Sequence, residues 1–514
     1  MLWVLAATLV SGMASLSSCH SDPYYAESLI PQDNSGNPAD GQGSDGQDSS
    51  DPVTDSLVQA HTLVTVLKNE GYTPEEFVAH LGAPSFSAMT AGISPQINAI
   101  AKSMAMSKLQ THLPTLDKMF ADEVGIEGDG TRRWHIESYT FTYRSQSVDG
   151  QEQVLSGRVT FPNNKVSGTP HQVKSLSLHT HQALMGADWA PSENLMLMPL
   201  RTLWNSAVIE PDFQNYGVGH GVLPDGNGSP KGLSRQLTDC TLAALEVMRL
   251  HGVSLADDGY TTSWGSSQTA AVPLLFAKYY ETEAPEWFRK AVRLHSTYVG
   301  EGPLDLSDAV PNYYCKHPEH FRFSYFYVAG YLSGFSAQQL GGYQPAELLA
   351  PWLSTTHVTV DGKDYTFLDA IAKALISSSH PARPELKTLD QVISPDMVTP
   401  DGQLDQNSPK TQAFLACLKA AGNLDNWAPK LPIYIGHSPE DPALPHEYSY
   451  RVYQKLSNNG QNPQVHMLDV RNTGQLSAVL GDAASMHGLI SILMLLNMSC
   501  VELPADMATV YTEE

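Results

Sequence analysis

The sequence predicts an α/β protein in which a mostly parallel sheet is flanked by helices, and two observations carry that expectation. From Trp134 onward, short segments of strand periodicity alternate with longer ones of helical periodicity, the pattern of parallel strands joined by crossover helices. Composition agrees: of 514 residues 42% are hydrophobic and only 16% charged, enough apolar surface to offset the entropy of ordering a sizeable core. At roughly 100–200 residues per domain, the length fits two to four units or one large α/β unit with additions.

Taken in order, residues 2–16 are mostly apolar, too short for a membrane span of ~20 residues, and fit the apolar region of an export signal. The stretch ends in Leu16-Ser-Ser-Cys19, which resembles the bacterial lipobox, so residues 1–19 read as a signal peptide with Cys19 as the lipidated anchor. Its usual basic start is missing, since the first Lys or Arg is Lys68; an ordinary cleaved signal with an incidental cysteine is the alternative. Residues 20–51 are rich in Gly, Ser, Asp, Asn and Pro, cannot build a core, and read as a disordered acidic linker. The chain is thus expected to be exported, as a lipoprotein of the cell envelope held to the membrane only through Cys19, or otherwise secreted.

Residues 52–130 read as a helical extension, from the spacing of Leu57, Ala60, Leu63, Val64 and Leu67 and from the helix start Thr73-Pro-Glu-Glu76. At Trp134 the period becomes two, through Ile136, Tyr139, Phe141 and Tyr143, then Val154, Leu155, Val159 and Phe161, a hairpin turning at Asp149-Gly150. Further strands are expected at 173–179, 207–211, 259–264, 432–436 and 464–470, and helices at 238–250 and 269–280. Residues 301–426 break the alternation and read as an insertion between two parts of an α/β core, 131–300 and 427–514. Aromatic residues there, such as Phe321, Phe323, Tyr325 and Trp352, belong to its own packing or to an apolar pocket.

Charge and cysteine content exclude whole classes of function. A net charge of −24 is wrong for a nucleic-acid binder, which needs clustered excess Lys and Arg. Cys19, Cys240, Cys315, Cys417 and Cys500 show neither CxxC pairing nor zinc-type spacing, so neither a disulfide scaffold nor a zinc module is expected. His179 and His181 lack a third ligand at useful spacing, and no metal site is expected; polar packing at a strand end accounts for both.

The segment Tyr260-Thr-Thr-Ser-Trp-Gly-Ser-Ser-Gln-Thr-Ala-Ala runs from a strand into a helix. A serine there can form a nucleophile elbow if the residues two positions either side are small. Gly265-x-Ser267-x-Thr269 meets that condition, whereas Ser266 would place Trp264 and Gln268 at the crowded positions. Gly334-Phe-Ser336-Ala-Gln is a similar pentapeptide without a clear preceding strand. A serine hydroxyl needs a general base, itself oriented by a carboxylate, and the chain order Ser, acid, His puts these late in the sequence. Asp441, after the strand at 432–436, has the placement of the acid; it can equally cap a turn before Pro442, and Glu440 is the fallback. His487, in Ser485-Met-His-Gly before an apolar helix, has the placement of the base. For an oxyanion hole, backbone donors come from the residue after the nucleophile, Gln268, and from the turn following the strand at 173–179, with Gln182 or Ala183 favoured.

These residues resemble the α/β-hydrolase fold, and more narrowly the secreted bacterial hydrolases related to the fungal LIP-type secretory lipases. Ile209-Glu-Pro-Asp-Phe-Gln-Asn-Tyr-Gly-Val-Gly219 resembles that family's Pro-Asp-Tyr-x-Gly-x-Gly segment, and Gly265-Ser-Ser-Gln-Thr-Ala270 its Gly-Tyr-Ser-Gln-Gly-Gly elbow. Gly302-Pro-Leu-Asp-Leu resembles its Gly-Pro-Tyr-Asp segment, and the run from Trp427 to Asp441 its acid loop. The resemblance spans about Trp134 to Cys500. It implies a core with a helical cap insertion, and a serine carboxylic ester hydrolase needing no cofactor and acting on a small-molecule ester or lipid through a Ser267, Asp441 and His487 triad. Three departures stand out. Thr269 and Ala270 replace two glycines, His181-Gln-Ala183 stands where His-Gly-Thr is frequent, and Asp441 is followed by Pro-Ala-Leu-Pro445. A serine peptidase of related fold and a non-catalytic surface-binding lipoprotein are the alternatives.

Overall fold

The computed structural model describes residues 62–80, 134–164, 170–180, 190–193, 195, 201–203, 205–214, 216–219, 229–316, 328, 331–332, 334–351, 358–360, 363–365, 388–441, 444–470 and 508–510. In chain order these contain β1 (Leu63–Tyr72), α1 (Pro74–His80), β2 (Trp134–Gln146), β3 (Glu152–Asn164), β4 (His171–Thr180), β5 (Ser206–Pro211), α2 (Pro230–Leu250), β6 (Val253–Ser266) and α3 (Ala271–Thr282). They continue with α4 (Glu286–Val292), β7 (Leu294–Gly300), β8 (Val358–Val360), β9 (Lys363–Tyr365), α5 (Pro409–Ala421), β10 (Ile433–His437), α6 (His446–Ser457), β11 (Val465–Val470) and β12 (Ala508–Val510). Ten strands form one sheet in the order β1-β2-β3-β5-β4-β6-β7-β10-β11-β12, while β8 and β9 pair separately. From β5 to β11 neighbouring strands are parallel; pairings β1–β2, β2–β3, β3–β5 and β11–β12 are antiparallel.

The hairpin turns where the sequence indicates. Gly150 takes φ +86°, a conformation costly for any side chain, and its N–H reaches the Ser147 carbonyl at 2.9 Å. α1 starts at a reciprocal cap, with Glu76 N–H on Thr73 Oγ1 (3.2 Å) and Thr73 N–H on Glu76 Oε2 (2.9 Å). α2 starts eight residues before the expected helix, at Pro230, with Ser229 Oγ accepting the Gly232 N–H at 3.3 Å.

One expectation fails within 52–130. Leu63, Val64 and Leu67 lie not on a helix but on β1, paired antiparallel to β2 from Leu63↔Tyr143 to Tyr72↔Ile136. Their helix-like spacing is coincidental. Val64-Thr65-Val66 is a β-branched run that loses rotamer freedom in a helix and suits a strand, and β2 offers an open ladder to pair with. Apart from 62–80, residues 52–130 lie outside the described residues, as do 1–51. β7 carries no sequence expectation either: Leu-His-Ser-Thr-Tyr-Val has too few apolar residues to read as a buried strand, yet it sits mid-sheet.

The two faces of the sheet differ in chemistry. Tyr139, Phe141, Val159, Phe161, Leu176, Leu178 and Ile209 share a core with Leu237 and Val247 of α2 and Val272 and Phe276 of α3. On the other face the register sets Thr140 opposite Arg158 and Arg158 opposite Glu210, then His179 opposite Trp264, Tyr298 and Tyr434 in turn. Ser138, Thr160, Ser175, Ser177, Ser206 and Thr262 fill the row beside it, all buried. Four of these hydroxyls pair with one another, Ser138 with Thr160 and Ser175 with Ser206, both at 3.0 Å, and Thr262 accepts from Arg201 at 2.9 Å. A second apolar cluster, built from Leu306, Val310, Leu340, Ile393, Phe414 and Leu418, also takes in Leu444 and Tyr448 beside β10.

The chain returns to the sheet under the control of Glu281 at the end of α3. Its Oε2 accepts Trp427 Nε1 at 2.8 Å and its Oε1 accepts the N–H groups of Lys430 and Leu431 at 2.9 and 2.8 Å. That three-donor clamp delivers Pro432 next to β7, so that β10 pairs with it from Ile433↔Thr297 to Gly436↔Gly300.

Candidate active site

The chain crosses from β5 back over β4 to β6, so connections leave the β4/β6 boundary in opposite directions, and the carboxyl ends of those strands are where open α/β sheets place their ligands. Ser267 is at that point. Ser266 is still extended (φ −140°, ψ 166°), Ser267 turns to φ +52°, and one 3₁₀ turn later α3 begins. A left-handed serine between strand and helix is the geometry of a nucleophile elbow. Ser266, by contrast, remains within the strand.

The elbow's neighbours must be small for reasons visible atom by atom. A Cβ at Gly265 would lie 2.2 Å from Thr180 Oγ1 and 3.0 Å from the Thr269 carbonyl. A Cβ at Gly302 would lie 2.1 Å from Ala270 Cβ and 3.3 Å from the Ser267 carbonyl. The Gly302-Pro-Leu-Asp segment is therefore the wall against which the elbow packs. Gln268 follows Ser267, 4% exposed, and its side-chain amide has no hydrogen-bond partner among the described residues. Ser336, the similar pentapeptide's serine, is instead bonded to Gln339 in a turn (3.1 Å).

Asp441 lies in the loop after β10, two places along the sheet from β6. Its carboxylate and the His437 ring are both fully buried; Oδ2 meets His437 Nε2 at 3.2 Å and Oδ1 accepts the Leu444 N–H at 3.1 Å. Nε2 also faces the Leu444 carbonyl at 3.1 Å, and because both partners only accept, Nε2 must carry the proton. The other ring nitrogen meets Ser449 Oγ at 2.7 Å, and Ser449 reaches the Gly302 carbonyl at 3.5 Å. A relay of polar contacts thus ties the acid loop to the wall behind the elbow. Asp441 thus caps the turn and pairs with His437, while Glu440 is exposed. His437, which sequence reasoning passed over, is the residue that holds Asp441; its position at the strand end beside the acid loop was the available signal.

Two further pairs are visible only in three dimensions. His446 Nε2 meets the buried Asp469 at 2.6 Å, and the His446 ring stands edge-on to His437 with centroids 5.7 Å apart. His179 Nδ1 meets Glu210 Oε1 at 2.8 Å and stacks on Trp264 at 4.6 Å, so polar packing at the strand end accounts for His179. Glu210 is fully buried, and breaking a buried pair strands a charge. His179→Leu is expected to destabilise the fold by about 3–5 kcal/mol in urea titrations, and Glu210→Gln, which keeps an acceptor, by distinctly less.

His487, His181, Gln182, Ala183, Cys19, Cys500 and the aromatic residues Phe321, Phe323, Tyr325 and Trp352 lie outside the described residues. Cys240, Cys315 and Cys417 are buried free thiols. Among the described residues no group of three or more His, Cys, Asp or Glu is placed to hold a metal ion, and no helix is long and apolar enough to cross a membrane.

No family model and no curated protein matches the sequence, but solved structures do. The ligand-bound rice cell wall degrading esterase LipA from Xanthomonas oryzae is similar with a TM-score of 0.52 at 15% identity, over 85% of this chain and 97% of that one. A Legionella pneumophila protein assigned as a hydrolase is similar with a TM-score of 0.51 at 14% identity, over 85% of this chain and 98% of that one. The fold is that of the α/β-hydrolases. At such identities the likeness carries the α/β-hydrolase architecture alone, and the chemistry rests on this chain's own residues.

Proposed function

We propose that the chain is a serine carboxylic ester hydrolase that works through an acyl-enzyme on Ser267. The observation that carries the proposal is the left-handed Ser267 at the strand-to-helix junction, walled by Gly265 and Gly302. His487 removes the Ser267 proton as the hydroxyl attacks the ester carbonyl, and Asp441, already desolvated and braced by His437 and Leu444, orients the imidazole and stabilises its cation. The tetrahedral oxyanion is held by the Gln268 N–H and by a donor from the turn after β4, Gln182 or Ala183. The leaving alcohol takes the proton from His487, and water hydrolyses the acyl-enzyme by the same route in reverse. The insertion within 301–426 caps the site, and a lipid on Cys19 with the acidic linker 20–51 holds the enzyme off a membrane surface.

Fluorophosphonate labelling of the purified full chain, mapped by peptide mass spectrometry, should find the probe on Ser267, with turnover of p-nitrophenyl acetate, butyrate or palmitate. Turnover confined to aminoacyl anilides would assign a peptidase. A folded chain that neither labels nor turns over would assign a binding role. His446 is the alternative base, because a carboxylate already sits on it. Loss of turnover in His446→Ala with activity kept in His487→Ala would transfer the role.

A further inference from the structure

Thr269 stands where an elbow ordinarily takes its smallest residue, and it is fully buried. Its hydroxyl lies 3.1 Å from the Thr180 carbonyl, 3.3 Å from the Ser266 carbonyl and 3.2 Å from the Thr180 hydroxyl. Thr180 is also fully buried, and its hydroxyl reaches the Trp264 carbonyl at 3.3 Å. The Thr269 proton goes to one of two carbonyls, and the Thr180 proton goes to Trp264 or to Thr269. Two hydroxyls and three carbonyls from β4, the end of β6 and the elbow thereby interlock.

The interlock falls where the sheet ends. The ladder between β4 and β6 runs regularly from Ser175↔Tyr260 to Thr180↔Gly265, while Ser266 pairs with Gly300 of β7. Beyond that register one chain goes on to Ser267 and Gln268 and the other to residue 181. Thr180↔Gly265 is the last pair of this ladder among the described residues, and the side chains of Thr180 and Thr269 tie the two chains at that point. Close approach is enforced from the other side as well, since any Cβ at Gly265 would collide with the Thr180 hydroxyl.

We propose that Thr180 and Thr269 form a latch that fixes the elbow, and with it the Gln268 N–H, against the end of β4, making both threonines positioning residues for formation of the tetrahedral intermediate. The inference rests on the serine hydrolase reading and deepens it. A donor misplaced by a fraction of an ångström weakens oxyanion binding in the transition state more than substrate binding, so the latch should appear in kcat and not in KM.

The test is steady-state turnover of a p-nitrophenyl ester by the full chain. Thr269→Val keeps the shape and removes the hydroxyl; its kcat should fall about 10- to 100-fold with KM within about twofold, and fluorophosphonate inactivation should slow in parallel. Thr269→Ser should restore kcat to within about threefold. Thr180→Val should lower kcat similarly, and the double valine variant should be no worse than either single one, because the two hydroxyls act as a unit. Wild-type kcat in folded Thr269→Val would overturn the latch while wild-type labelling still stands for the hydrolase; absence of labelling in the wild type would instead remove the hydrolase reading itself. Should Thr269→Val fail to fold, Thr269→Ala, which only removes atoms, decides by the same split between kcat and KM.

Discussion

Ser267→Gly should abolish ester turnover and at the same time make the protein more stable. The first effect is removal of the nucleophile; losing the attacking hydroxyl of a serine triad lowers kcat by about 10⁶-fold. The second follows from backbone geometry. At φ +52° Ser267 is held left-handed, where a Cβ crowds the following carbonyl at a cost of roughly 1–2 kcal/mol. Glycine removes that cost and returns about 0.5–1 kcal/mol through the larger entropy of its unfolded chain. A net gain of about 0.5–1 kcal/mol should register as a higher thermal midpoint. Ser267→Ala supplies the control: it loses turnover equally but keeps the Cβ, and so should not share the gain. Equal midpoints for the glycine and alanine variants would mean that the elbow is unstrained.

Asp441→Asn should lower kcat by about 10⁴-fold and loosen the acid loop. The carboxylate accepts on both oxygens, from His437 Nε2 and from the Leu444 N–H. An amide accepts on only one. If its oxygen keeps Leu444, its NH₂ faces the protonated Nε2 of His437, two donors in a fully buried space. Leaving such a group unsatisfied costs about 1–3 kcal/mol. Activity and stability should therefore fall together in Asp441→Asn, and Glu440→Gln, on an exposed carboxylate, should change kcat less than twofold. Loss of stability with turnover intact would reduce Asp441 to a turn cap and return the acid role to another carboxylate.

What was legible of the candidate site is its local part. Gly265 and Thr269 flank Ser267 within five residues, and the strand before Asp441 announces itself by its apolar run. What escaped the sequence depends on partners far along the chain. Thr269 reads as a poor substitute for glycine until Thr180, 89 residues away, is found against its hydroxyl. His437 reads as an incidental loop residue until Ser449 and Asp441 close around its two nitrogens. Leu63 to Leu67 read as a helix until β2 supplies the ladder that makes them a strand.

The sequence by itself determined the alternation of strands and helices, the hairpin at Gly150 and the strand-to-helix junction at Ser267, because periodicity, turn chemistry and side-chain size act over a few residues. Only the tertiary structure decided which buried polar groups find partners. Arg158, Glu210 and His179 come from three strands, and whether each is a stranded charge or a satisfied contact depends on a register that no single segment encodes. The same holds at the carboxyl ends of β4 and β6. There, two threonine hydroxyls meet between the elbow and the neighbouring strand, because sheet geometry brings them within hydrogen-bonding distance.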